Sequence, residues 1–210
     1  MYFAKQLLIT SFKFGVYHKE GSMNKEQMFK NHYIKMSRMF TKNYIHRLFK
    51  PDSLSILPEL NIYKNMKILD VGCNKAKLLS TLASFLESSE FHGLDLDQNR
   101  IRKNQKCNKL KNLQFHCAPA EELPFENSFF DIITCTNALH HFPQRVRALD
   151  QMYRVLKPGG DLYILEGIRD KQWKERFEKI LRQSRFIMPD KKYLPKTALF
   201  AKSFFIHYVK

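Results

Sequence analysis

Gly72, Asp95 and the pair His140–His141 carry the residue types and the spacing on which chemistry can be built. The stretch ILDVGCNKAKLLS (68–80) is an apolar run that ends in Asp70 and turns at Gly72. A helix follows, and the free N–H groups at a helix start favour a negatively charged ligand group. Asn74 and Ala76 stand where a nucleotide-binding loop usually has two further glycines. Asparagine tolerates a left-handed backbone, and Ala76 is expected to add no more than one methyl at a helix–strand contact. Asp95, in GLDLD, lies 23 residues beyond Gly72, where a carboxylate can accept hydrogen bonds from both hydroxyls of a ribose. A histidine side chain titrates near neutral pH in general, which makes His140 and His141 the candidates for a general base. Cys135 reads as a small buried strand residue rather than a nucleophile.

These residues need elements to hold them. From residue 66 onward, apolar strand-like runs alternate with helical patterns, the signature of βαβ units and a parallel sheet. Strands are predicted at 67–72, 91–95, 113–117, 130–135 and 161–166, and helices near 76–87, 97–109 and 143–157. Pro143 suits a first helical turn, and Val146, Leu149, Tyr153 and Leu156 recur at helical spacing before KPGG (157–160) turns the chain. Trp173, Phe177 and Ile180 among charges suggest a further amphipathic helix, and SFFIHYV reads as a last strand. In an open α/β sheet, ligands sit beyond the carboxyl ends of the strands, where the strand order reverses. Asp70, Asp95 and the residues after Cys135 all fall at such ends.

The chain has 210 residues, 44% of them apolar and 27% charged, an ordinary globular composition with room for one sizeable core. Around its apolar middle the longest stretch without a charge is 13 residues, too short to span a bilayer. The four cysteines form no paired motif, which predicts reduced thiols and no metal site. The net charge of +16 divides into +7 for residues 1–65, +1 for 66–166 and +8 for 167–210. Basic flanks around a balanced middle suit contact with phosphates of nucleic acid or an anionic membrane surface, beside a small-ligand domain. The first twenty residues are basic and hold one acid, Glu20, without the cleavage site of a secretory signal.

ILDVGCNKAK, GLDLDQNRI, APAEELPFENSFFDIITCTNALHHF and RALDQMYRVLKPGGDLYILE occur in this order. Together they resemble the class I S-adenosylmethionine-dependent methyltransferases, in particular the type 11 group, which includes quinone, sterol and tRNA methyltransferases. The resemblance is strongest over 66–166. It implies a Rossmann-like, doubly wound and mostly parallel sheet with helices on both faces. One such domain (66–210) would follow a basic, aromatic-rich N-terminal arm with helices (1–65). It also implies a site for S-adenosyl-L-methionine. Asp70, Gly72, Cys73 and Asn74 would lie against the amino-acid end of the cofactor, Asp95 on its ribose and Leu96 on its adenine. Ala120 and Glu121 would line the third loop, and Thr136, Asn137, His140 and His141 would face cofactor and substrate. The family's acid in the third loop is replaced by Pro119, which can supply neither carboxylate nor N–H. Together with Asn74 and Ala76, this is expected to weaken cofactor binding roughly ten- to several-hundred-fold.

The resemblance therefore implies methyl transfer to a small-molecule or lipid-like acceptor, with the aromatic arm covering the pocket. Two alternatives stand beside it. The same chemistry on RNA would use the basic flanks, and a non-catalytic binding protein would use the fold with a weakened loop. A cytoplasmic chain, with scope for peripheral membrane contact, is the expected location.

Overall fold

The computed structural model describes residues 53–167, 171–186 and 203–210. The expected N-terminal arm lies almost wholly outside them. A 3-10 helix (Ser53–Glu59) leads into β1 (Lys67–Val71), α1 (Lys77–Ala83), β2 (Glu90–Asp95), α2 (Gln98–Cys107), β3 (Leu113–Cys117) and β4 (Phe130–Thr136). A 3-10 turn (Leu139–His141), α3 (Arg145–Val155), β5 (Leu156–Gly167), α4 (Lys171–Gln183) and β6 (Ser203–Val209) complete the order. The strands form one sheet in the order β3-β2-β1-β4-β5-β6, all parallel except β6, which runs antiparallel to β5. The Rossmann-like, doubly wound expectation holds.

The central strands are buried on both faces, so they read as nearly continuous apolar runs. Side-chain alternation then divides the core in two. On one face Leu69, Val71, Ile133, Leu162 and Ile164 pack with Ala148, Leu149, Met152 and Val155 of α3 and with Phe177 and Leu181 of α4. On the other, Ile68, Ile132, Tyr163 and Leu165 pack with Ile56 of the first 3-10 helix and Leu60 just after it, Leu78, Leu79 and Leu82 of α1, and Ile101 of α2. Residues 53–60 thus pack into the folded domain, ahead of the expected start at 66.

Other differences have local causes. α3 begins at Arg145 and turns inward Ala148, Leu149, Met152 and Val155, whereas Val146 and Tyr153 are only half-buried. The expected stripe was rotated because Ala148 carries little hydrophobic signal. β5 begins at Leu156, five residues early, since Leu156 pairs with Phe130 across a register shift and Gly159 (φ 75°) absorbs the bend. The charge-balanced middle is also polarised. Residues 98–111 carry six cations and no acid, and Arg102, Lys103 and Lys106 point to solvent.

Beneath β2 and β3, away from the strand carboxyl ends, His92 Nε2 meets Glu90 Oε1 at 2.9 Å and His92 Nδ1 meets His116 Nε2 at 3.0 Å. Phe125, Phe129 and Phe130 set their edges against this pair. Burial lowers the pKa of both imidazoles, for His92 against the opposing pull of Glu90. Among the described residues no helix is long and apolar enough to cross a membrane, and no His, Cys, Asp and Glu cluster suits a metal ion.

Candidate functional site

After β1 the chain runs to β2 and β3 on one side; it then returns to lay β4 on the other. The order therefore reverses between β1 and β4, the place where an open α/β sheet takes its ligand beyond the strand ends. Gly72 follows β1 and Ala138 follows β4, and they meet there. A Cβ built on Gly72 would sit 2.4 Å from the Ala138 Cβ and 3.7 Å from Phe142 Cζ. With φ at 77°, Gly72 satisfies a close approach and a left-handed backbone together.

The loop after Gly72 is held by its own N–H groups. Gly72 N and Cys73 N both donate to Leu94 O (2.8 and 2.9 Å), Asn74 N donates to Asp95 Oδ2 (2.8 Å), and Ala76 N donates to Cys73 O (2.8 Å). A loop that cradles phosphate must aim such amides outward; this loop has turned these four inward. Asn74 (φ 50°) and Ala76 (φ 50°) both adopt left-handed conformations. Asparagine was expected to tolerate this. Ala76 was expected to add only a methyl, but it also bears a backbone cost of roughly 1–2 kcal/mol. Two side chains of α2 brace the turn. Arg100 Nη1 donates to Asn74 Oδ1 and Asn104 Nδ2 donates to Asn74 O (2.7 Å). Neither was foreseen, because nothing local links them to residue 74.

Asp95, at the end of β2, accepts from Asn74 N and from Asp97 N (3.0 Å). It is only half-buried, so further lone pairs remain for a ligand. Leu96 beside it is 68% exposed, an apolar platform next to a carboxylate. That pairing is what a nucleoside requires: an acceptor for the ribose hydroxyls and a surface for the base.

Asp70 is buried at the end of β1 and accepts from Thr134 Oγ1 (2.7 Å). Burial pushes its carboxyl up to about 7, Thr134 opposes the shift and Asp95 adds to it. Because the folded state holds this proton more tightly than the unfolded chain, the carboxyl's contribution to stability is full below about pH 4. It is lost as pH rises through about 7. Asp70→Asn should remove this contribution. The mutant's unfolding free energy, followed by urea titration across that window, should fall less with rising pH than that of the wild type. Cys73, buried beside Asp70, has its thiol pushed up first by burial and then by Asp70 and Asp95, which leaves it protonated and unreactive.

The remaining expected residues divide. Ala120 is buried in the core with Leu94, Leu123 and Ala138. Glu121 accepts from Gln144 N (3.0 Å), so one oxygen of its carboxylate satisfies the start of α3. Thr136 is buried at the end of β4. Asn137 (φ 51°) donates through its N–H to Leu165 O (2.7 Å) and accepts from Gly167 N (3.2 Å), tying the ends of β4 and β5 together. His140 Nδ1 lies 2.7 Å from Oε2 of Glu166 at the end of β5, and the His141 ring rests 3.9 Å from the His140 ring. Glu166 was missed, although it repeats the signature of Asp70 and Asp95, an acid closing an apolar strand run.

The site thus gathers three carboxylates, Asp70, Asp95 and Glu166, at the ends of β1, β2 and β5. Its loop amides are turned inward, which suits a ligand that is cationic where it meets the loop. A pyrophosphate would meet the opposite arrangement.

The methyltransferase-domain family of type 11 matches residues 69–164. A demethylmenaquinone methyltransferase of Staphylococcus epidermidis is 35% identical over 113 residues, which are 53% of this chain and 47% of that protein. A phthiotriol/phenolphthiotriol dimycocerosates methyltransferase of Mycobacterium leprae is 38% identical over 96 residues, 46% of this chain and 36% of that protein. The chain therefore spans about half or less of these curated relatives. Among solved structures, a SAM-dependent methyltransferase from Aquifex aeolicus superimposes with a TM-score of 0.64 at 20% identity, covering 85% of this chain and 97% of that one.

Proposed function

We propose that this chain, which belongs through residues 69–164 to the type 11 group of class I methyltransferase domains, is an enzyme that uses S-adenosyl-L-methionine to methylate a small-molecule or lipid-like acceptor. The observation that carries the reading is the chemistry of the loop and its neighbours. Four inward-turned amides, with the half-buried Asp95 carboxylate beside them, suit the ammonium and sulfonium of this cofactor better than a phosphate. The acceptor class is supported by the names of the relatives, one a demethylmenaquinone methyltransferase and one a phthiotriol/phenolphthiotriol dimycocerosates methyltransferase.

Each residue then has a task. Asp95 accepts from the ribose hydroxyls, and the exposed face of Leu96 covers the base. Gly72 lets the backbone at the switch point come close, and Asn74, braced by Arg100 and Asn104, sets the shape of the loop. When bound, the cofactor would supply an electrophilic methyl group carried on a sulfonium sulfur. The protein's share is to orient the acceptor in line with that methyl and exclude water.

Calorimetric titration with S-adenosylmethionine tests the reading. Saturable binding is expected in the wild type, weakened about 100-fold or more in Asp95→Ala, since two hydrogen bonds to a charged acceptor are lost. Thermal unfolding of both proteins checks that the mutant remains folded. Absence of binding to the wild type at millimolar ligand would overturn the proposal.

A further inference from the structure

We infer that His140 and Glu166 form a dyad in which the buried carboxylate holds the imidazole by Nδ1 and leaves Nε2 to take a proton from the methyl acceptor. The acceptor is then of a particular class, one that becomes nucleophilic only by losing a proton: an acidic hydroxyl such as a phenol, enol or hydroquinone, or the activated carbon beside one. An amine carrying a free electron pair would need no such base. The inference deepens the methyltransferase reading and rests on it.

The geometry is specific. Glu166 is 0% exposed whereas the His140 side chain is 20% exposed, so the pair runs from the interior to the surface beside the switch point. Oε2 of Glu166 meets His140 Nδ1 at 2.7 Å, and Oε1 has no hydrogen-bond partner among the described residues. A fully buried carboxylate with one oxygen unmatched is costly, and structure retains such groups chiefly where they have work to do. The backbone around the pair is fixed from three sides. Arg145 Nη2 donates to His140 O (2.8 Å), Asn137 N donates to Leu165 O, and Gly167 N donates to Asn137 Oδ1.

Burial raises the Glu166 pKa, and the His140 ring opposes the shift. The amides of Leu139 and His140 also favour the ionised form, although neither closes a hydrogen bond on Oε1. Among the described residues, titratable neighbours of the pair include His141, its ring tilted 42° to the His140 ring, and Cys135, behind which lies Asp70. Cys135 feels both Glu166 and Asp70, and burial keeps its thiol protonated.

The proton step balances within the chain's own groups. The acceptor's O–H or C–H bond breaks, its proton goes to Nε2, and its electron pair stays on the acceptor atom as the nucleophile. The new imidazolium lies against the Glu166 carboxylate, so no net charge is buried unpaired. The proton afterwards leaves to water through the exposed part of the ring. Glu166 is a positioning residue in this scheme, acting only through His140.

One alternative arrangement uses the same contact. A protonated Glu166 would donate to Nδ1; Nε2 would then carry the hydrogen and could accept nothing. The two arrangements differ in tautomer, which long-range 1H–15N correlation of histidine-labelled protein reads directly, with His140→Gln to assign the signal. At about pH 8, where an ordinary imidazole is neutral, the wild type should show Nδ1 protonated and Nε2 bare, by roughly tenfold or more for a charge-assisted hydrogen bond. Glu166→Gln should reduce that ratio severalfold. A wild-type spectrum with Nε2 protonated overturns the dyad without recourse to any mutant, as does an unchanged ratio in Glu166→Gln. Calorimetry with S-adenosylmethionine on the same wild-type sample separates the two readings. Binding with the wrong tautomer removes the dyad alone. The expected tautomer without binding removes the cofactor reading, and the role of base with it.

Discussion

Gly72→Ala is expected to lose about 2–5 kcal/mol of folding stability, combining a left-handed alanine with an overpacked contact. The new Cβ would stand 2.4 Å from the Ala138 Cβ, an atom with no rotamer through which to retreat. Ala138 is itself buried and sits between the end of β4 and the 3-10 turn that carries His140. Relief must therefore come from parting β1 and β4 at the switch point, which moves the cofactor loop and the histidine turn together. For a domain of this size the loss is a large fraction of the whole. Gly159→Ala is the matched control, with φ at 75° and nothing within 4 Å of an added Cβ. It should show only the backbone part, roughly 1–2 kcal/mol. Urea unfolding of the two mutants measures the difference, and equal losses would mean that the Gly72–Ala138 contact is not tight.

Arg154→Ala should cost about 2–4 kcal/mol, since it strips hydrogen bonds from a charged donor and leaves carbonyls unpaired. The guanidinium donates to Phe125 O (2.7 Å), Leu123 O (2.8 Å) and Asn127 Oδ1 (3.0 Å), and twice to Gln151 Oε1. It gathers the segment between β3 and β4 onto α3, aided by Ser128 N and Phe129 N, which donate to Arg154 O and Val155 O. Arg154→Lys keeps the charge but not the planar fork and should recover less than half of the loss, because one ammonium cannot reach carbonyls on both sides. Increased protease cleavage within 122–129 should accompany the lost stability in Arg154→Ala. Wild-type unfolding and protection would show that the segment holds itself in place.

The α/β alternation and two of the acids at strand ends, Asp70 and Asp95, were legible because each is a local pattern. Ile68–Val71, Phe91–Leu94 and Ile132–Cys135 are runs whose composition suits a strand buried on both faces. Asp70, Gly72 and Asp95 stand out because a charged residue or a glycine ending such a run has few structural reasons to be there. Element edges were less legible. Ala148 hides the true inner face of α3, and the early start of β5 depends on Phe130, 26 residues away.

The amino-acid sequence by itself determined the layered fold and the positions at which chemistry can gather, since periodicity and turn residues act within a few positions of one another. Tertiary structure alone decided what those positions can do. The loop amides are consumed by Leu94 and Asp95, Asn74 is braced by Arg100 and Asn104, and Asp70 is pushed up to about 7 by burial. His140 becomes a candidate base only because Glu166 is placed beside it across 26 residues of chain. Hydrogen bonding and desolvation are set by which groups are near in space, and pattern along the chain does not record that distance.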